Sequence, residues 1–194
     1  VIALHRGVEP VLVLNKCDLG EAGPWRDAYE HAGFPVVCTN ALTGEGIDEL
    51  RALLQSGISA FAGFSGVGKS SLLSRLLGEE LAVGEISHAL SRGRHTTRHV
   101  QLFPFAGGFV ADTPGFSSLE LTDLPDLYAR DLPDLFPEFA PFLGLCRFPD
   151  CTHRREPGCA VREACEQGEI APSRLASYQS FFDLLHALPD WKRS

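Results

Sequence analysis

Apolar residues occur in short runs separated by amphipathic stretches along the first two thirds of the chain. Apolar runs of this length, bounded by turn residues, predict buried strands, and apolar side chains at intervals of three and four predict helices. The predicted strands are residues 11–14, 35–38 and 59–62, the predicted helices are residues 24–32, 46–54 and 69–77, and residues 101–105 and 108–111 predict a hairpin. This strand–helix alternation predicts an α/β fold with a mainly parallel sheet covered on both faces.

The last third of the chain has a different pattern. Residues 119–138 contain six acidic residues and one arginine, and four prolines between residues 125 and 141 interrupt long helices. We interpret this stretch as a linker into a cysteine-rich segment, which precedes an amphipathic helix after Pro172. The apolar positions of that helix are Leu175, Tyr178, Phe182 and Leu185. The predicted domains are therefore residues 1–122 and a small α-helical domain with its linker at residues 123–194.

Composition narrows the possible classes of protein. The 194 residues, 44% hydrophobic and 22% charged, suffice for one buried core and a small appendage. No run of 18 apolar residues predicts a membrane span, and no secretory cleavage pattern is present. The net charge of −8 argues against a protein that coats nucleic acid by bulk charge, but it allows RNA contact through a local patch. The absence of methionine, even at position 1, predicts a piece of a longer chain.

A phosphate-binding pattern, GxxxxGK[ST], lies between the third predicted strand and the following helix. Its residues, with the next serine, are Gly63, Phe64, Ser65, Gly66, Val67, Gly68, Lys69, Ser70 and Ser71. The glycines let backbone N–H groups converge on phosphate oxygens, and the helix N-terminus adds its dipole. We expect Lys69 to reach the β- and γ-phosphates and the Ser70 hydroxyl to bind Mg²⁺. The alternative is a glycine-rich turn that caps an ordinary helix.

A base-binding pattern, NKxD, follows the first predicted strand as Asn15, Lys16, Cys17 and Asp18. The Asp18 carboxylate can accept hydrogen bonds from both N1–H and the exocyclic amine of guanine, whereas adenine offers neither donor there. Sites of this kind discriminate by roughly 10⁴–10⁵ when the partner is missing. We expect Asn15 to connect the motif to the phosphate loop and the Lys16 stem to lie along the base. Alone, the four residues would also fit a polar turn.

Three further segments complete the predicted nucleotide site. Asn40 and Ala41 follow the second strand where GTPases carry Ser-Ala-Lys, and a backbone N–H there contacts the guanine O6. Asp112 and Gly115 match DxxG, with Asp112 expected to hold Mg²⁺ through water and the Gly115 N–H to contact the γ-phosphate. An Asp-x-Pro-Gly turn is the alternative. Thr97 is the candidate for a second protein ligand of Mg²⁺.

A cysteine-rich segment predicts a metal site separate from the nucleotide site. Cys146, Cys151, His153 and Cys159 supply three thiolates and one imidazole within 14 residues, a set that suits structural Zn²⁺. The alternative is a set of redox-inert core thiols. Together with nucleotide chemistry, this use of cysteine predicts a reducing cytoplasm, without structural disulfides.

The order of the motifs is unusual. Most GTPases carry the phosphate loop first and NKxD later, whereas here NKxD and the Asn40 segment come first, which indicates a circular permutation. This order, the phosphate loop, residues 93–97, residues 112–116 and the cysteine cluster resemble the RsgA (YjeQ/YloQ) family of bacterial GTPases, which assist late maturation of the small ribosomal subunit. The resemblance implies a GTP/GDP-binding hydrolase with Mg²⁺, one structural Zn²⁺ and the small ribosomal subunit and its rRNA as partners. We expect a monomer without membrane association.

The chain departs from the resembled family at its start. An N-terminal OB-fold that the family carries is missing, as is the GTPase strand that should precede residue 11. The missing strand is an interior one, so its absence would leave unpaired backbone groups. We therefore expect residues before Val1 in the native protein.

The predicted site departs from Ras-like enzymes at the group that orients the catalytic water. Phe116 follows DxxG, where Ras-like enzymes place the glutamine that orients the attacking water, and a phenyl ring cannot do so. The resemblance implies a switch histidine as the substitute, and His95 is the candidate, next to Lys69 and Asp112 in the predicted catalytic set. A solvated loop histidine or an RNA contact is the alternative.

Two other function classes remain open from the sequence. One is a nucleotide-gated RNA-binding or assembly module in which hydrolysis is incidental, and the other is a P-loop ATPase or kinase, against which Asp18 argues. Residues 87–100 hold three arginines and three histidines without an acid, which predicts either an rRNA contact or solvated charges that offset the phosphates of the nucleotide.

Overall fold

The structure, a computed structural model, describes residues 1–54, 56–78, 101–105, 107–112 and 120–188. Within these ranges the α-helices are α1 (Ile2–His5), α2 (Gly23–His31), α3 (Ile47–Leu53), α4 (Lys69–Leu77), α5 (Ala160–Glu166) and α6 (Pro172–His186). The strands are β1 (Leu12–Asn15), β2 (Val36–Thr39), β3 (Ile58–Ala60), β4 (Gln101–Phe105) and β5 (Gly108–Asp112). Short 3₁₀ helices occupy Cys17–Leu19, Leu121–Asp123, Ala129–Asp131, Pro133–Leu135 and Pro137–Phe142.

The strands form two sheets within the described residues. β1 and β2 pair with each other, and β5 lies between β3 and β4 in a three-stranded sheet. β3 runs parallel to β5, with Ala60 opposite Ala111, and β4 and β5 form the predicted antiparallel hairpin, with Phe105 opposite Gly108. The predicted α/β strand–helix alternation is therefore confirmed, with element ends displaced by one or two residues.

Two compact units share the chain. One contains Val1–Leu12, Gly23–Val36 and Glu120–Ser194, and the other contains Val13–Ala22 and Val37–Leu119. The predicted domains, residues 1–122 and 123–194, stay a prediction.

The unit with the phosphate loop is organised around α3, α4 and the three-stranded sheet. Helix α4 buries four leucines on one face, and β5 buries Val110 completely. Gly46, just before α3, has φ 69°, and a Cβ there would lie 1.9 Å from the Cys38 carbonyl oxygen. Only glycine fits this close backbone approach, which fixes where the chain turns after β2.

The other unit has a core that the sequence did not predict. The interpretation of residues 119–138 as a linker is wrong, because their apolar side chains are buried in this core. The buried residues of this stretch and its continuation are Leu121, Leu124, Leu127, Ala129, Leu132, Phe136 and Phe139. The prolines do not prevent this, since Pro133 and Pro137 stand at the start of 3₁₀ helices, where a missing N–H does no harm. Helix α6 completes the core with Tyr178, Phe182 and Leu185, as its spacing predicted.

A buried ion pair holds the separate stretches of this unit together. Arg174 donates to Glu138 at 2.6 and 3.3 Å, and their side chains are 11% and 3% exposed. The guanidinium also lies over the rings of Phe136, Tyr29 and Phe34 at 4.7, 5.0 and 5.5 Å. Because Tyr29 and Phe34 belong to the Gly23–Val36 stretch, the cation joins that stretch to the C-terminal one.

The part of the chain that the structure describes contains no helix long and apolar enough to cross a membrane.

Candidate functional site

The phosphate loop joins β3 to α4, as the sequence predicted. Gly66 and Gly68 adopt φ 83° and 98°, and a Cβ on Gly68 would lie 2.3 Å from Asn15 Nδ2. Lys69 opens α4, and its Nζ donates to the carbonyl oxygens of Gly63 and Phe64 at 2.6 and 2.8 Å. The loop therefore curves around its own lysine ammonium, and a cation held this way suits a polyphosphate.

The remaining residues of the phosphate loop are open to solvent. Ser70 and Ser71 lie in the first turn of α4 and are exposed, as is Ser65 in the loop. The Phe64 and Val67 side chains are 78% and 41% exposed. Backbone groups and hydroxyls, and not buried side chains, thus line the accessible side of the loop.

The NKxD segment is hydrogen-bonded to the phosphate loop. Asn15 Nδ2 donates to the Val67 carbonyl oxygen at 2.9 Å, and Lys16 Nζ donates to that of Gly66 at 2.8 Å. Lys16 has φ 65° and ψ 40°, a left-handed conformation that is uncommon for a residue with a Cβ. The structure therefore brings the two motifs together in the way expected of Asn15, although they lie about 50 residues apart in sequence.

The Asn40 loop closes the same cluster. Asn15 Oδ1 accepts hydrogen bonds from Thr39 Oγ1 at 3.2 Å and from the Ala41 N–H at 3.3 Å. Asn40 Nδ2 donates to Asp18 Oδ1 at 2.8 Å. The base-binding residues predicted from two separate segments thus form one hydrogen-bonded group.

The sequence analysis missed one polar side chain of this cluster, Thr39, and did not predict the side-chain contact of Asn40. The Thr39 hydroxyl, on a fully buried residue, supports Asn15, and the Asn40 amide contacts Asp18, although only the backbone near Asn40 was expected to take part. An asparagine directly after a strand often bonds to the backbone two residues on, which was the available signal for Asn40. Cys17, between the two polar ends of NKxD, donates its thiol to the Leu14 carbonyl oxygen at 2.9 Å.

Several predicted site residues lie outside the described residues. These are His95, Thr97 and Gly115, together with Phe116 and the basic stretch at residues 87–100. Asp112 ends β5, and the structure describes its backbone but not its side chain. Their roles stay predictions.

The predicted metal ligands converge in the unit that contains α5 and α6. The ligand atoms of Cys146, Cys151, His153 and Cys159 all lie within 4.8 Å of one another. Both Cys146 Sγ and Cys159 Sγ lie 3.5 Å from His153 Nδ1. A tetrahedral zinc centre, with its usual Zn–S and Zn–N lengths, has an S···N edge of roughly 3.5 Å. The donor set and its spacing therefore fit Zn²⁺ bound through Nδ1 of the histidine.

Burial affects how these ligands ionise. Burial raises the pKa of the Cys151 thiol to about 12 and lowers the pKa of His153 below its ordinary value. The imidazole is therefore held neutral, which is the form that binds a metal, while the thiol needs a cation nearby to lose its proton. A metal ion bound by the four ligands would displace the proton of the Cys151 thiol.

His153 is fixed by its backbone and by aromatic neighbours. Its φ is 58°, its side chain is 5% exposed, and its ring packs edge-on against Phe139. Tyr178 lies next to the imidazole and donates its hydroxyl to the Thr152 carbonyl oxygen at 2.9 Å. A strained residue held by a packed core is typical of a ligand whose position matters.

The loop between the ligands is organised by Glu156. Its carboxylate accepts backbone N–H bonds from Thr152 at 3.0 Å, Arg154 at 3.1 Å and Arg155 at 3.0 Å, and it also accepts the Thr152 hydroxyl. Partial burial alone would raise the pKa of Glu156, but the Thr152 hydroxyl and the backbone donors together lower it to about 2. The sequence analysis matched Glu156 to the zinc motif of the resembled family but predicted no role for its carboxylate.

Replacing Glu156 by glutamine is expected to weaken zinc binding by roughly 10- to 100-fold, the usual cost of losing a group that orients metal ligands. Glutamine keeps the shape but turns one acceptor oxygen into a donor that faces backbone N–H groups. Competition with a chromophoric zinc chelator measures the change, with Glu169→Gln, an exposed acid of the same unit, as the control. Equal zinc affinity in both variants would contradict this role.

The folded-state pKa of Glu156 is lower than its ordinary value of 4.5. The carboxylate therefore adds stability that is complete above about pH 4.5 and is lost as the pH falls towards 2. Its contribution is fully present at neutral pH, where the zinc competition is measured.

Comparisons with known proteins agree with the motifs. The family model described as RsgA GTPase matches residues 1–122. The small ribosomal subunit biogenesis GTPase RsgA of Shouchella clausii is 46% identical, over 96% of this chain and 64% of the relative. The protein of the same name from Moorella thermoacetica is 47% identical, over 90% of this chain and 60% of the relative. The chain thus spans less than two thirds of the length of these curated relatives.

Two solved structures are similar over nearly the whole chain. YjeQ from Thermotoga maritima superposes with a TM-score of 0.77 at 40% identity, covering 97% of this chain and 64% of that one. YloQ, described as a circularly permuted GTPase, has a TM-score of 0.72 at 31% identity, covering 92% and 57%.

Proposed function

Because the chain belongs to the RsgA GTPase family, we propose that it binds GTP, hydrolyses it to GDP and phosphate, and assists late maturation of the small ribosomal subunit. The predicted family and the circularly permuted P-loop GTPase fold are confirmed by the family match and the two similar structures. The observation that carries the proposal is the pair of hydrogen bonds from Asn15 and Lys16 to the phosphate loop. These bonds link the group that selects the base to the group that binds the phosphates.

The proposed nucleotide contacts come from the base-binding segments and from the phosphate loop. The guanine edge faces the Asp18 carboxylate, a backbone N–H near Asn40 contacts the guanine O6, and the Lys16 stem lies along the base. The phosphates lie on the N–H groups of residues 63–71, where Lys69 exchanges its carbonyl contacts for the β- and γ-phosphate oxygens. Gly115 is expected to contact the γ-phosphate through its N–H.

Hydrolysis is an in-line attack of water on the γ-phosphate. Lys69 and the backbone N–H groups of the phosphate loop stabilise the charge that spreads over the phosphate oxygens. Ser70, Thr97 and Asp112 are the residues that would hold Mg²⁺, which when bound neutralises part of the same charge. His95 is proposed to orient the attacking water, since Phe116 cannot.

The zinc centre is proposed to be structural. The four protein ligands would fill the coordination shell of a Zn²⁺ ion and leave no open position for a substrate. The metal would therefore stabilise the fold around α5 and α6, and the chemistry belongs to the nucleotide site.

The partners follow from the names of the relatives, which are small ribosomal subunit biogenesis GTPases. We propose that this chain acts on the same subunit in the cytoplasm, as a monomer, and that Arg92 and Arg94 contact rRNA. Neutralising both arginines should then flatten the salt dependence of subunit binding.

The test is hydrolysis of GTP by the full-length protein with and without purified small ribosomal subunits, with ATP as the control nucleotide. Slow turnover of GTP alone that rises sharply with subunits is the expected result. GTP-specific turnover without a response to subunits would remove the ribosomal role, and equal turnover of ATP would remove the guanine assignment. His95→Ala should lower turnover while GTP affinity stays constant, and unchanged turnover would exclude His95 from the mechanism.

A further inference from the structure

Helix α6 holds the segment that carries the zinc ligands. Two residues of this segment, Thr152 and Arg154, stand on either side of the ligand His153. Tyr178 on α6 donates its hydroxyl to the Thr152 carbonyl oxygen at 2.9 Å. Asp183 on α6 accepts from the Arg154 guanidinium at 2.5 Å. The position of His153 and the position of α6 are therefore linked, so a bound metal that orders the ligands also orders this helix.

The first turn of the same helix contacts a different stretch of the chain, residues 23–36. Arg174 in this turn is paired with Glu138, whose side chain is 3% exposed. The guanidinium lies over the rings of Tyr29 and Phe34, which pack edge to face with centroids 6.2 Å apart. The Phe34 N–H donates to the Tyr29 carbonyl oxygen at 3.0 Å. Because an unpaired charge on Glu138 would be costly there, the guanidinium is held in one place over both rings.

Residues 23–36 continue directly into the strands that carry the base-binding segments. The Pro35 carbonyl oxygen accepts from the Leu12 N–H at 2.9 Å, which joins the chain just before β2 to the start of β1. At the far ends of these two strands, the Thr39 hydroxyl donates to Asn15 Oδ1 at 3.2 Å. Phe34 immediately precedes Pro35, so a displacement of its ring reaches both strands.

We propose that α6 couples the zinc centre to the nucleotide site, so that zinc and a guanine nucleotide each strengthen the binding of the other, with Arg174 as the residue that carries the coupling. The inference rests on the proposed binding of zinc and of guanine nucleotide. With zinc bound, α6 keeps Arg174 over Tyr29 and Phe34. Without zinc the helix is released, and the start of β2 loses this support. Such coupling is reciprocal, and it typically changes affinity by roughly 5- to 150-fold.

The experiment measures this coupling factor in the full-length protein from both sides. Calorimetry at constant Mg²⁺ gives the affinity for GDP with and without zinc, and we expect the zinc-free protein to bind GDP roughly tenfold more weakly. Competition with a chromophoric chelator gives the affinity for zinc with and without saturating GDP. GDP should raise the zinc affinity by the same factor, because linkage requires it. The second measurement supplies the factor even where the zinc-free protein is too unstable to isolate.

Tyr29→Leu combined with Phe34→Leu tests the route through Arg174. The double variant removes both rings from the guanidinium, whereas the pair of Arg174 with Glu138 and all four zinc ligands remain. Its coupling factor should shrink towards one. General destabilisation would instead lower the affinities and keep the factor, which distinguishes coupling from a folding defect. Trp25→Leu, which changes a 57% exposed aromatic residue of α2, should keep the wild-type affinities and factor.

The outcomes separate the inference from the proposed function. A zinc-loaded wild-type protein that binds GDP, with a coupling factor of one, overturns the inference alone. A wild-type factor that the double variant retains also overturns it, since the coupling would not pass through Arg174. A wild-type protein that does not bind GDP overturns the proposed nucleotide-binding role and the inference with it. A wild-type protein that holds no zinc overturns the zinc centre and, again, the inference.

Discussion

Replacing Cys151 by serine is expected to abolish zinc binding and to unfold the region around α5 and α6. The thiolate is one of four ligands that lie within 4.8 Å of one another, and a hydroxyl is a poor replacement. Apparent zinc-binding free energies of roughly 10–16 kcal/mol in zinc-finger peptides are comparable to the total stability of a domain, about 5–15 kcal/mol. Loss of the metal therefore removes a contribution as large as the whole stability of a domain.

Zinc content by mass spectrometry and the thermal melting curve measure the effect. Cys165→Ser is the matched control, since Cys165 lies on α5 outside the ligand set. The control should retain stoichiometric zinc and melt close to the wild-type protein. If Cys151→Ser melts with the control, the cluster is not a structural zinc centre.

Replacing Asp18 by alanine is expected to remove the preference of the protein for guanine over adenine nucleotides. Wild-type discrimination of roughly 10⁴–10⁵ is expected, because adenine offers no donor to the Asp18 carboxylate and leaves it unpaired. Without the carboxylate, guanine N1–H and its amine are left without a partner, so GDP affinity falls towards that for ADP. Titration with fluorescent GDP and ADP measures both values.

Asp48→Ala provides the control for charge, because Asp48 is an exposed carboxylate in the first turn of α3 in the same unit. It should leave both affinities unchanged. Retention of more than about a hundredfold preference for GDP in Asp18→Ala would mean that other groups select the base.

The sequence predicted the elements whose pattern is local. Helix α4 was predicted with the bounds that it has, since its leucines recur at helical spacing directly after a glycine-rich loop. The cysteine cluster was equally predictable, because three thiols and an imidazole in a short segment have few other uses. Motif order alone indicated the circular permutation.

Features that depend on distant contacts were not predictable. The buried stretch from Leu121 to Phe139 consists of 3₁₀ turns, whose period of three differs from both helix and strand periods. Its acidic residues and prolines favoured a linker. The residues that cover it, Tyr178 and Phe182, lie some 50 positions away in sequence, so no local pattern indicated that it is buried. The hydrogen bond from Asn40 to Asp18 was not predictable for the same reason, because it joins two separate loops.

The contact of Arg174 with Tyr29 and Phe34 also constrains when the protein can fold during synthesis. The ribosome makes the two aromatic residues first and Arg174 about 140 residues later, which at roughly 5–20 residues per second is a delay of roughly 7–28 s. During that interval Tyr29 and Phe34 lack the Arg174 guanidinium that lies over their rings, while the phosphate-loop residues emerge. Newly made chains should therefore be more sensitive to proteases near Tyr29 until helix α6 leaves the ribosomal tunnel.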